Sequence, residues 1–121
     1  MSTRAILLVD HGSRRAEANA VLDEVAALLR RRVPERIVRV AHMELAPPSV
    51  AEGIEACVAA GAREIVVHPY FLAPGSHGAR DVPALVAAAA RRHPAVSIRV
   101  SAPLGAHEGL VDAILARVEE A

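Results

Sequence analysis

Tryptophan and lysine are absent from this chain of 121 residues, and tyrosine, phenylalanine and cysteine occur once each, as Tyr70, Phe71 and Cys57. With aromatics at 2%, a base-stacking platform for single-stranded nucleic acid is poorly supplied. A lone cysteine cannot close an internal disulfide, so a reducing, cytoplasmic setting is expected. An excess of one charge is missing too, because 14 basic side chains meet 14 acidic ones. No global field is left to hold nucleic acid or an anionic membrane, and neither is expected as a partner. Long apolar runs are also lacking. The stretch Ala5–Val9 is too short for a signal-peptide core or a membrane span.

Several motifs are missing. Without a Cys-x-x-Cys pair, a structural zinc site is not expected. The glycine fingerprints Gly-x-Gly-x-x-Gly and Gly-x-x-x-x-Gly-Lys do not occur, which removes the usual nucleotide sites. Gly75-Ser76-His77-Gly78 spaces its residues wrongly for a nucleophile elbow. Every basic side chain is arginine, which codon bias in a GC-rich genome explains without any function.

What is present is a globular composition. Hydrophobic residues reach 53% and mean hydropathy is +0.29, so disorder is excluded, and a mass of 12.7 kDa fits one domain over 1–121. Strand and helix patterns alternate four times. Ala5–Val9 reads as a strand buried on both faces. A helix over Ser13–Arg32 places Val21, Leu22, Val25, Leu28 and Leu29 on one side, with Arg30, Arg31 and Arg32 at the negative end of its dipole. Ile37–Met43 is a second strand. Ser49 and Glu52 have capping-box spacing for a helix that ends at Gly61.

Arg63–His68 forms a third strand, and a loop to Arg80 precedes a helix near Asp81 with Pro83 in its first turn. Val96, Ile98 and Val100 alternate as in a half-exposed fourth strand. A last helix over Glu108–Glu119 should bury Val111, Ile114, Leu115 and Val118. This order implies an α/β fold: a flavodoxin-like four-stranded parallel sheet, order 2-1-3-4, with helices on both faces. Ligands in such sheets bind beyond the carboxyl ends of the strands where the winding reverses, here between strands one and three.

The loops at that point carry His11 and His77, with Gly12, Gly75 and Gly78 permitting close backbone approach. Neutral imidazole ligates divalent transition metals and takes protons near neutral pH. Loop histidines are ordinarily surface or hydrogen-bonding residues, so spacing alone leaves both readings open. His42 and Glu44 fall at the end of strand two, on one face if the alternation continues. Glu44 is a candidate third ligand or proton acceptor, and equally a solvated carboxylate. His68 reads as a structural hydrogen-bonding residue, His93 and His107 as ordinary polar residues at helix boundaries, and Cys57 as a small buried hydrophobe. Asp10 is placed to orient an imidazole or to accept backbone N–H groups.

Leu7-Leu-Val-Asp-His11-Gly-Ser-Arg14 with Asn19, Ala41-His-Met-Glu44-Leu-Ala-Pro-Pro-Ser49, and Pro69-Tyr-Phe-Leu-Ala-Pro-Gly75-Ser-His77 followed by Arg80-Asp81-Val-Pro83 resemble the motifs of the short sirohydrochlorin cobaltochelatases. All three occur in order over nearly the whole chain. The resemblance implies a class II chelatase fold and insertion of a divalent metal into a tetrapyrrole, with His11 and His77 as the metal-handling pair and Glu44 assisting. Two departures from the pattern stand out. His42 replaces an aromatic or aliphatic residue, and Ser76-His77-Gly78 replaces a more usual Arg-His-Val, removing one cation for substrate carboxylates.

That chemistry wants an open site that releases its ion, and a neighbouring base for the two pyrrole protons. Arg14, Arg15 and Arg80 are expected to pair with substrate carboxylates, and Ser13, Gly75 and Ser76 to line the substrate loops. No permanently bound cofactor is expected. The metal is itself a substrate: Co²⁺ in the first place, with Fe²⁺ or Ni²⁺ served by the same constellation. One lobe offers one wall to a large macrocycle, so a homodimer with the cleft between copies is expected. The alternatives are a non-catalytic metal- or tetrapyrrole-delivery module and a phosphate-binding domain built on the Gly12-Ser13 turn.

Overall fold

A computed structural model describes residues 3–73 and 77–121, with side chains described for 3–73 and 80–121. The elements are β1 (Arg4–Asp10), α1 (Ala16–Arg32), β2 (Ile37–His42), α2 (Val50–Ala59), β3 (Glu64–Pro69), α3 (His77–Ala90), β4 (Ser97–Val100) and α4 (Glu108–Glu120). The strands form one parallel sheet in the order β2-β1-β3-β4. Ala5 of β1 pairs with Ile37 on one side and Ile65 on the other, and Asp10 ends opposite His42. The order follows from burial. The continuous apolar run of β1 takes a central position, whereas β4, paired only with β3, alternates exposed and half-buried residues.

Alternation divides the sheet into two faces. Leu7 and Val9 pack with Ala41, Ile65 and Val67 beneath Ile54 and Cys57 of α2 and Val82 and Val86 of α3. A Cβ at Gly53 would lie 2.9 Å from both Ala41 and Leu7, so the missing side chain lets α2 sit close on β1 and β2. Ser49 and Glu52 form the expected capping box. On the other face Leu8 and Val38 pack against Leu22 and Ala26 of α1. Arg30 of the arginine run donates from Nε and Nη2 to the Val38 carbonyl, at 3.2 and 2.8 Å, tying the end of α1 to β2.

Four expectations are corrected. First, α1 starts at Ala16 because the preceding turn is otherwise engaged: Ser13 Oγ accepts from the Arg15 N–H at 3.0 Å. Second, α3 starts at His77, four residues before Asp81, so Pro83 lies inside the helix rather than in its first turn. Third, His93 is half-buried, its Nε2 3.3 Å from Glu55 Oε1, because the end of α3 packs beside α2. Fourth, α4 buries none of its residues, and Val111, Ile114, Leu115 and Val118 are all exposed. No described helix is long and apolar enough to cross a membrane.

Candidate active site

The carboxyl ends of β1 and β2 run on as a short backbone ladder beyond the strands. The Met43 N–H donates to the Asp10 carbonyl at 3.0 Å, and the Glu44 N–H to the His11 carbonyl at 3.2 Å. These bonds set His11 and Glu44 side by side. His11 Nε2 lies 3.4 Å from Glu44 Oε1, and both side chains are more than half exposed, at 56% and 58%. Gly12 makes the approach possible. Its φ is +92°, and a Cβ there would stand 1.9 Å from the Glu44 carbonyl oxygen.

The 3.4 Å separation is long for a hydrogen bond and suits two ligands of one ion. Donors about 2.1 Å from a common first-row divalent cation lie roughly 3.0–3.4 Å apart, between octahedral and tetrahedral angles. The spacing thus matches two donors on one such ion, and the exposure of both side chains leaves room for further ligands.

His42 does not share a face with Glu44. The strand ends at His42 and the alternation stops there, and Leu45 in the loop that follows adopts a left-handed φ of 69°. His42 is buried, at 3% exposure, and its Nδ1 donates to Asp10 Oδ1 at 2.5 Å. The ring is thus held by Asp10 and closed off from solvent, in contrast with the exposed His11. Asp10 orients an imidazole as expected, but that of His42 rather than its neighbour His11.

His77 opens α3 at this same end of the sheet, although its side chain lies outside the described residues. Gly75 and Ser76 also lie outside them. Among the described residues no third His, Cys, Asp or Glu joins His11 and Glu44. Arg14 and Arg15 before α1 and Arg80 in the first turn of α3 are exposed around this mouth. Ser13 is engaged locally: its N–H donates to Asn19 Oδ1 at 2.9 Å and its carbonyl accepts from Asn19 Nδ2 at 2.8 Å.

Sequence reasoning gave no structural task to Asn19 and none to Leu45 and Leu72. The two leucines stand 52% and 65% exposed on the β2–α2 and β3–α3 loops. An asparagine in a first helical turn is a readable signal for loop stapling. Exposed leucines carry no signal until the loops are placed.

The other titratable groups play structural parts. His68 Nδ1 donates to Ser101 Oγ at 2.8 Å, as expected of a structural histidine. Burial pushes its pKa below the ordinary value of 6.5, outweighing the Ala102 carbonyl, which pulls the other way. His107 caps α4, accepting the Gly109 N–H at 2.9 Å. Burial pushes the Cys57 thiol up to about 11, only partly offset by Arg39, so it is no thiolate ligand.

Comparison with known proteins places these features in a group. The CbiX family model matches residues 5–121. The chain is 43% identical over 114 residues to the chloroplastic sirohydrochlorin ferrochelatase of Arabidopsis thaliana, covering 94% of this chain and 51% of that one. It is 31% identical over 117 residues to the sirohydrochlorin cobaltochelatase of Priestia megaterium, covering 97% and 38%. It thus spans about half, or less, of the length of these curated relatives.

Among solved structures, the sirohydrochlorin chelatase SirB from Bacillus subtilis subspecies spizizenii, in complex with cobalt, superposes with a TM-score of 0.86 at 33% identity. That match covers 99% of this chain and 51% of SirB. A cobalamin biosynthesis CbiX protein from Marinobacter aquaeolei VT8 gives a TM-score of 0.80 at 32% identity, covering 97% and 95%.

Proposed function

The chain belongs to the CbiX family, and from that membership we propose that it is a sirohydrochlorin chelatase inserting Co²⁺ or Fe²⁺ into the tetrapyrrole. Cobalt is the first expectation from the sequence. Iron stands beside it because relatives carry both names. An imidazole and a carboxylate suit both ions. The observation that carries the reading is the exposed His11–Glu44 pair, 3.4 Å apart at the mouth where a doubly wound sheet binds its ligands.

His11 and Glu44, with His77 from α3, hold the ion loosely while the macrocycle nitrogens displace them. Two pyrrole protons must leave as the ion enters, and Glu44 or an imidazole freed from the metal accepts them. Arg14, Arg15 and Arg80 pair with the carboxylates on the substrate rim, and Ser13, Gly75 and Ser76 shape the loops against it. The apolar faces of the ring meet Leu45 and Leu72.

A large flat ring needs two walls, and this chain supplies one. The Arabidopsis relative is about twice its length. The second wall here is a second copy, arranged about a twofold axis. The lone, buried Cys57 suits the reducing conditions of the cytoplasm.

The test follows metallation by absorbance after mixing the protein with sirohydrochlorin and either Co²⁺ or Fe²⁺. Rates well above the protein-free control are expected with at least one ion. Control rates with both ions, while the tetrapyrrole still binds, would reduce the protein to a carrier.

A further inference from the structure

α4 is a 13-residue helix without a buried residue. Its Val111, Ile114, Leu115 and Val118 recur at i, i+3, i+4 and i+7, a single stripe 47–62% exposed. Intrinsic propensity barely holds a helix of this length in water, and such a stripe is normally covered.

The same chain has a matching bare surface. α1 packs on β1 and β2, and no described helix covers β3 and β4 on that face. Val66, His68 and Tyr70 are left half-buried there, with Arg99 exposed beside them. An open cavity of about 640 Å³ lies over this surface, between His68, Tyr70 and Ser101 at the end of the sheet and Leu104, His107 and Leu110 at the start of α4. α4 therefore starts beside the bare face and leaves it. Gly105, with a φ of +56°, lies in the turn that sends it away.

We propose that α4 of one copy docks on the β3–β4 face of a second copy and receives that copy's α4 in exchange. The inference rests on the homodimer proposed above and states how it is built. Both halves of the contact are on every chain, as a twofold interface requires. Glu108, Asp112 and Glu119 fall along one edge of the α4 stripe, and the receiving face offers Arg99. Four surfaces, two helix faces and two sheet faces, each roughly 20 Å by 10 Å, bring the buried area near the ~1,000 Å² at which specific interfaces begin.

The exchange also completes the site. Tyr70, whose N–H donates to the Val9 carbonyl at 2.7 Å, connects this cavity to the end of β1 just before His11. The partner's helix walls the cavity there, so a single copy offers an incomplete cleft.

Two measurements on the full chain test this. Sedimentation equilibrium should show a wild-type dimer, and Ile114→Asp with Leu115→Asp should weaken it about a hundredfold or more, two buried aliphatic side chains being lost. The circular dichroism of the sheet and of α1–α3 should survive, because both positions are exposed within the chain. In the second measurement, Val66→Cys on one preparation and Leu115→Cys on another are mixed and oxidised. A covalent dimer is expected from the mixture and from the double variant.

An undiminished dimer in the aspartate variant would overturn the exchange while leaving the homodimer standing. A chain-internal disulfide in the double variant, with α4 folded onto its own sheet, would overturn it too. A wild-type monomer at every concentration would remove both.

Discussion

His42 Nδ1 lies 2.5 Å from Asp10 Oδ1; Asp10 immediately precedes the exposed His11, and His42 stands two residues before the exposed Glu44. Asp10 and His42 are register partners across β1 and β2, so their bond clamps the two strand ends from which the metal-facing side chains project. His42→Ala leaves a carboxylate only 19% exposed without its partner. Discounting for that exposure, the loss is expected to be about 2–3 kcal/mol in urea unfolding. Co²⁺ affinity should fall about tenfold, as when groups supporting a metal ligand are removed. Unchanged affinity together with the stability loss would confine the pair to a structural part.

Gly12→Ala tests the close crossing of the two loops. The new Cβ would meet the Glu44 carbonyl at 1.9 Å while the backbone holds a φ of +92°. A penalty of about 3 kcal/mol in unfolding free energy is expected from the strain and the clash together. Metal binding should weaken as Glu44 is pushed from His11, which titration calorimetry with Co²⁺ would read.

The strand order was legible because apolar runs separate central strands from edges: β1 carries Leu7, Leu8 and Val9, whereas β4 alternates Ile98 with Arg99. Ser49 and Glu52 announced α2 because a capping box is a local device. The stripe on α4 was equally legible, but periodicity reports that a face needs covering, not which surface covers it. Alternation misplaced Glu44 because a period-two pattern holds only while the strand lasts, and β2 ends at His42. That His11 and Glu44 touch depends on Gly12 and on a backbone ladder between distant segments, neither of which is a local signal.

His68 predicts a pH dependence of stability. Its folded pKa is depressed by burial, so below 6.5 the unfolded chain takes up the proton first. This contribution is whole above the ordinary histidine value and is lost as pH falls through it toward the folded pKa. Urea midpoints should therefore drop between pH 7.5 and pH 5.5 in the wild type (the interval is set by the ordinary value of about 6.5). The drop should be smaller in His68→Gln. An equal drop in both would assign the dependence to other groups.

The initial rate of sirohydrochlorin metallation, compared among wild type, His11→Ala and Glu44→Gln under saturating Co²⁺ and Fe²⁺, tests the central claim most directly. Losses of about a hundredfold for His11→Ala and about tenfold or more for Glu44→Gln are expected, with each variant folded by circular dichroism. Wild-type rates in both variants would show that the metal passes to the macrocycle elsewhere on the molecule.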